Sequence, residues 1–293
     1  MQIQSKYVGT QLKPYKTTIT QRHTTNYAAA LGDALPCYLD DTRPGGVIAH
    51  PVFPVAVTWP MTLNMDQYLD GGDFPLELMA MQVHHTEHIR LHRPVTPGQE
   101  VTIQGALAAI LPHRAGTRII MRYEAVDSEG LPLFTEHLGG MLRGVECTDS
   151  GASLPGLPED GERVSDESSL QSRDVFASKV LPYIYDGCSD IVFPIHTSPA
   201  FAASVGLPGI IVQGTATLAL AVSSLLEMEE QAAPERVTEA ACRFSGMVMP
   251  GTTITVRLLK RVVSTGQTSL SFDVLGESGA SVLSKGGLVY TNI

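Results

Sequence analysis

At 293 residues the chain is long enough to bury one large core or two ordinary ones. With 43% hydrophobic and 17% charged residues its composition is that of a globular protein, and no apolar run approaches the ~20 residues of a membrane helix. A formal charge of −10 excludes nucleic acid and anionic membrane as expected partners, and any anionic ligand needs local basic residues.

The opening residues, MQIQSKYVGTQLK, lack the apolar core of a signal peptide, and the final Tyr-Thr-Asn-Ile matches no peroxisomal or retention address; a cytoplasmic protein is expected. Cys37, Cys147, Cys188 and Cys242 form no C-x-x-C pair, which argues against a zinc site or disulfide framework and suits a reducing compartment.

In chain order, the first half offers Tyr27-Ala-Ala-Ala-Leu-Gly-Asp33 and the Pro turn Asp33-Ala-Leu-Pro36-Cys-Tyr38. A helix is then expected to begin near Gly46. A strand follows through Glu87-His88-Ile89-Arg90-Leu91-His92 and on to Pro97-Gly98, and a hairpin turns at Asp127-Ser-Glu-Gly130. The polar stretch from Cys147 to Asp174 has linker composition. It divides the chain into expected units of residues 1–150 and 175–293, joined by 151–174.

The second half repeats the plan. A Pro turn at Pro194-Ile195-His196 precedes the apolar run Ile210-Ile211-Val212, which stops at Gln213-Gly214. The Ala/Leu-rich segment after Gly214 reads as a helix buried on most sides. Thr253 to Leu258 and Ser269 to Val274 alternate polar and apolar residues, the period of half-buried strands. Pro250-Gly251 answers Pro97-Gly98, and Gly276-Glu-Ser-Gly279 answers the first hairpin. Duplication is the simplest reading.

The ordered run from Ser189 to Val222 resembles the catalytic segment of the MaoC-like, (R)-specific enoyl-CoA hydratase family. Pro194, Ile195, His196 and Gly214 match that family's pattern; Ile191 stands where its acidic residue sits and Phe193 where its Asn sits. The first half, with Tyr27 to Asp33 and His92 to Gly98, is similar to the N-terminal domain of double-hot-dog dehydratases. The resemblance implies an α+β double hot dog: two antiparallel sheets, each wrapped around a long helix. It also implies reversible hydration of an enoyl-CoA, or dehydration of a 3-hydroxyacyl-CoA, without metal or redox cofactor. The expected assembly is a homodimer or higher homo-oligomer.

Within that frame His196 is the expected general base and acid. The Gly214 N–H, at a helix N-terminus, is the expected oxyanion donor; close packing is its plain alternative. Asp190 is a candidate to replace the acid missing at Ile191, with a surface turn residue as the alternative. Asp33 holds the equivalent acidic position in the first half, where Tyr38 stands at the histidine position. Tyr185, Ile191, Phe193 and Gln213 are candidate substrate-lining residues. Arg243, Lys260 and Arg261 are candidates for the phosphates of CoA; a solvated strand face is the alternative. The string His84-His85-Thr-Glu87-His88, with His92, does not form H-E-x-x-H and carries arginines that repel a cation, so no metal is expected. A polar sheet face or an interface suits it better. Two other functions fit the same fold: a hot-dog thioesterase, and a non-catalytic acyl-thioester-binding protein in which the loss at Ile191 is a loss of catalysis.

Overall fold

The computed structural model describes residues 1–161, 164, 168–229 and 232–292. Of the stretch read as a linker, residues 162, 163 and 165–167 therefore lie outside the described residues. The first half runs β1 (Gln2–Ile3), β2 (Tyr15–Thr18), α1 (Gln21–Ala30), α2 (Pro36–Leu39), α3 (Pro54–Leu63) and α4 (Met65–Tyr68). Strands β3 (Gln82–Leu91), β4 (Glu100–His113), β5 (Gly116–Asp127), β6 (Pro132–Arg143), β7 (Glu146–Cys147) and β8 (Ala152–Ser153) follow. The second half runs β9 (Gln171–Ala177), α5 (Leu181–Ser189), α6 (Pro199–Ser204) and α7 (Gly214–Met228), then β10 (Val237–Phe244), β11 (Thr252–Ser264), β12 (Gln267–Leu275) and β13 (Ser281–Thr291).

The long strands join in one antiparallel sheet of order β2-β4-β5-β6-β3-β10-β13-β12-β11-β9. The order is a palindrome of two five-strand units, each with its helix laid in the curl, which is the α+β double hot dog. The units meet where β3 pairs with β10, with Glu239 opposite Arg90 and Arg243 opposite Thr86. The repeated Pro-Gly turns do equivalent work. Gly98 (φ 87°) donates to Ile19 O at 2.8 Å and Gly251 (φ 88°) to Ala177 O at 2.6 Å. Both glycines stand in the left-handed region that side-chain-bearing residues avoid.

Helix α7 begins where the sequence places it, at Gly214, and is buried along nearly its whole length. Its small Ala residues let it approach the sheet, and its hydroxyls bond back to its own carbonyls, Thr217 to Gln213 O at 3.2 Å and Ser224 to Leu220 O at 2.8 Å. The counterpart α3 corrects the expectation of a helix from Gly46. Gly45 and Gly46 are a turn with φ of 89° and 70°, and the helix starts only at Pro54. Proline suits that first helical position, where no N–H partner is needed. A second proline, Pro60, interrupts α3, and the helix ends at Asn64.

Candidate active site

His196 closes a one-turn 3-10 helix, Pro194–His196, whose proline fixes the entry angle. Ser198 then caps α6 by accepting from Phe201 N at 3.2 Å. The imidazole Nδ1 lies 2.8 Å from Ile211 O. A carbonyl only accepts, so Nδ1 carries the proton and Nε2 keeps its lone pair. Burial pulls the His196 pKa below its usual 6.5, and the bond to Ile211 O opposes this only in part. At neutral pH the ring is thus an uncharged base with a fixed tautomer. Ile211 N–H in turn donates to Ile195 O at 3.3 Å, tying the histidine turn to the segment that leads into α7.

Gly214 is the first residue of α7, three residues beyond Ile211. The side chain of Gln213 does not cap this helix; its Nε2 donates to Pro182 O at 2.9 Å and its buried Oε1 has no partner. The N–H groups of a first helical turn have no intrahelical acceptor, so this end presents donors and partial positive charge. A Cβ on Gly214 would meet ring atoms of Phe244 at 2.9 and 3.0 Å, so only glycine fits. Close packing and donor presentation therefore hold at the same residue. Beside it, Tyr185 O–H donates to Thr215 Oγ1 at 3.1 Å, which leaves the Tyr27 hydroxyl to donate to Tyr185 at 3.0 Å. Tyr185 is fully buried in this hydroxyl chain.

The remaining sequence candidates disperse. Ile191 is buried in the core, while Phe193 is partly exposed with its ring centroid 6.5 Å from that of His196, so Phe193 furnishes apolar surface near the histidine. Asp190 terminates α5 in the left-handed conformation, φ 57°, with an exposed side chain. The backbone adjustment that would redirect it does occur, but it turns Ile191 inward and leaves Asp190 at the surface. Arg243 is corrected by strand parity: its neighbour Phe244 packs on Gly214, so Arg243 projects from the opposite face of β10. Arg261 is committed to Glu229 at the C-terminal end of α7, with Nε 3.0 Å from the carboxylate. That end lies about 22 Å from Gly214 by helical rise. Lys260 is exposed at the bulge of β11 beside it. None of the three cations stands at the start of α7.

Two arrangements were not read from the sequence. The first is a partly buried chain between the halves. Val52 N–H donates to His50 Nδ1 at 3.1 Å, so His50 Nε2–H faces Ser223 Oγ at 3.2 Å, and Ser223 donates to Asp33 Oδ2 at 2.7 Å. The second lies within the histidine string. A bulge between His84 and Thr86 turns His84 and Glu87 to the inner face, with His84 Nε2 3.1 Å from Glu87 Oε2. The His84 ring packs on Phe244 with centroids 4.3 Å apart, which brings the pair next to Gly214. Burial pushes the Glu87 carboxyl well above its usual range, toward the protonated form, and His84 down to about 4, so the imidazole is uncharged at pH 7. The polar-apolar rhythm broken at residues 84–86 was the available signal.

Residues 171–274 match the family described as MaoC like domain, and residues 6–135 match the FAS1-like dehydratase domain region. The enoyl-CoA hydratase ChsH3 of Mycobacterium tuberculosis is 25% identical over 264 residues, 86% of this chain and 87% of that one. The 3-hydroxyacyl-thioester dehydratase Y of the same organism is 26% identical over 220 residues, 72% of this chain and 73% of that one. Among solved structures, a MaoC-like dehydratase from Phytophthora capsici superposes with a TM-score of 0.83 at 22% identity, covering 98% of each chain. The repeated plan and the superposition make the fold a double hot dog, in which the second half carries a MaoC-like domain and the first a FAS1-like dehydratase region.

Proposed function

We propose that the protein catalyses reversible hydration of an enoyl-CoA thioester to the 3-hydroxyacyl-CoA, at the site formed by His196 and Gly214. The observation that carries this is the fixed tautomer of His196: Nδ1 is tied to Ile211 O, three residues before the uncapped start of α7, and Nε2 has no hydrogen-bond partner among the described residues. In hydration, Nε2 takes a proton from water as the water oxygen bonds to the β-carbon. The electron pair of the double bond moves through the α-carbon toward the thioester oxygen, where the Gly214 N–H and the helix dipole stabilise it. The imidazolium then returns the proton to the α-carbon, so one water adds and the base is regenerated. Dehydration is the reverse.

Because Ile191 replaces the family's acid, this reading has a single imidazole handling both protons. Phe193 makes the surroundings apolar, which favours an acyl group without a charged distal end. Units of residues 1–150 and 175–293, a homodimer and a cytosolic setting belong to the same reading. The four free thiols suit such a setting, and among the described residues no helix is long and apolar enough to cross a membrane.

The test is the conjugated absorbance of an enoyl-CoA together with free thiol. Loss of absorbance without thiol release, abolished in His196→Ala, is the expected result. Thiol release would instead make the protein a thioesterase. Binding without turnover in the wild type would make it an acyl-thioester-binding protein.

A further inference from the structure

On the face of the sheet opposite Gly214, the seam between the two units holds a cavity of about 50 Å³. Its walls include His88, Arg118, His137, Arg243 and Lys285, roofed by Pro158 to Gly161. Arg118 is paired with Asp160 in a two-bond fork, 3.0 and 3.3 Å. Neither Arg243 nor Lys285 has an ion pair among the described residues, although both are only partly exposed. The Arg243 Nε is buried without a partner among the described residues. His137, 7% exposed, also lines the cavity, and neither ring nitrogen has a partner among the described residues. The His88 Nε2 is engaged by Glu239 at 3.0 Å, but its Nδ1 is unpartnered.

The backbone is shaped around this cavity. Lys285 is one of two non-glycine residues with positive φ among those described, at 53°. It sits in a bulge where the register of β10 on β13 jumps between Ala241–Gly287 and Arg243–Ser284. A left-handed residue of this kind costs energy that the surroundings must offset, and such costs concentrate where a side chain is being aimed. The roof closes on the same bulge: a Cβ on Gly161 would lie 2.7 Å from Lys285 O, so only glycine lets the chain rest there.

Three lining carboxyls oppose the three cations, but Glu159 and Asp160 are exposed to solvent and burial pushes Glu87 toward its protonated form, so the half-buried interior with its unused N–H donors suits a small anion with several acceptor oxygens. We propose that this pocket binds one tetrahedral oxyanion, phosphate or a phosphate monoester, held by Arg243, Lys285 and the His137 imidazole, with the Arg118–Asp160 pair at its rim. The site is separate from the acyl site, because Arg243 and Phe244 leave β10 on opposite faces and the sheet stands between them. The histidine string thus serves two faces: His84 looks toward α7, while His85 and His88 look toward this pocket. The Asp160 carboxylate already neutralises one rim cation, so it opposes the incoming anion.

Isothermal titration of the full chain with inorganic phosphate, at constant ionic strength against chloride, tests this. One saturable site is expected. Arg243→Gln should weaken it by about tenfold or more, the loss of a charged hydrogen bond. Lys285→Gly, which relieves the positive φ and so retains the fold, should weaken it similarly, and Asp160→Asn should tighten it. Titration with adenosine monophosphate separates the sources: binding at least as tight as phosphate marks a monoester site, and exclusion of the nucleotide with phosphate still bound marks a free-phosphate site. Heats matching the chloride control would overturn the proposal. So would saturable binding that Arg243→Gln and Lys285→Gly both leave unchanged.

Discussion

The two segments that cross the sheet ahead of the central helices share a backbone and divide the chemistry. Tyr27 and Tyr185, 158 residues apart, meet hydroxyl to hydroxyl on the pseudo-twofold axis. The same offset pairs Asp33 with Ile191 and Tyr38 with His196. Ile48 N donates to Cys37 O at 2.8 Å as Ile211 N donates to Ile195 O at 3.3 Å, and Ala49 N donates to Val95 O at 2.8 Å as Val212 N donates to Val248 O at 2.9 Å. His50-Pro51 therefore stands where Gln213-Gly214 stands in the second half. In the first half the acid, Asp33, closes a hydrogen-bonded chain through Ser223 to His50, which burial keeps neutral with a pKa of about 3. In the second half the acid is gone, the histidine keeps an open Nε2, and the helix starts on a glycine. One copy uses its polar groups to join the halves; the other leaves them for a ligand.

The largest effect that this contrast predicts is kinetic. His196→Ala should lower kcat on an enoyl-CoA by about 10²–10⁴, the usual loss of an acid-base group. Tyr38→Phe, at the matching position, should leave kcat within about twofold, since that hydroxyl is buried without a partner. Similar losses in the two variants would erase the asymmetry. Because burial lowers the His196 pKa, the acid limb of kcat/KM should have its inflection below pH 6.5, with rate falling as the imidazole protonates. An inflection above that value would remove His196 as the base.

Gly214→Ala comes next. The added methyl drives into Phe244, an overpacking worth about 1–3 kcal/mol, and displaces the N–H from its line to the thioester oxygen. Both Tm and kcat should fall. Adding Phe244→Leu should restore most of the Tm; if it also restores full kcat, the position serves packing alone and the donor role is lost.

Legibility in the sequence followed the range of each interaction. Strand periods, Pro-Gly turns and the Gly214 helix start are set within a few residues, and they were readable. So was the frame of His196, whose key partner Ile211 is 15 residues away. The start of α3 was misplaced because Gly45-Gly46 looks like the glycine that opens α7, whereas Pro54 is what sets the helix. The surroundings of the basic residues were not legible because charge alone carries no face. Arg243 is turned away by the parity of a single residue, and Arg261 is taken by Glu229, 32 positions earlier. Asp33 and Ser223, 190 residues apart, are joined only by the folded pseudo-symmetry.

Smaller effects concern the groups that join the halves. Ser223→Ala leaves the buried His50 Nε2–H and Asp33 each short of a partner, a cost of about 1–3 kcal/mol that urea unfolding would measure, with kcat unchanged. A stability loss below about 0.5 kcal/mol would mean the chain contributes nothing to joining the units. The buried carboxyls act through pH. Burial raises Glu87 and Glu136 well above 4.5, so in that range the folded state keeps protons the unfolded chain has lost. Their contribution is full below pH 4.5 and is lost as pH rises toward the folded values. Stability should therefore decline toward alkaline pH, by up to about 1.4 kcal/mol per pH unit for each group. Glu87→Gln should make that decline shallower, and an unchanged slope would show that Glu87 is ionised in the folded protein.

The smallest expected effect tests the comparison most sharply. Asp190 is the acidic residue next to Ile191, and a working acid in this segment too would make the two halves alike rather than complementary. Its side chain is exposed, and its φ of 57° ends α5. Asn adopts that conformation as readily as Asp and preserves the volume, so Asp190→Asn isolates the charge. Away from buried partners, such a change alters stability by about 0.5 kcal/mol or less. Turnover should stay within about twofold of wild type across pH 5 to 8. A fall of about 100-fold with the Tm retained would place a working carboxylate beside His196, and the single-imidazole mechanism would give way to an acid-histidine pair.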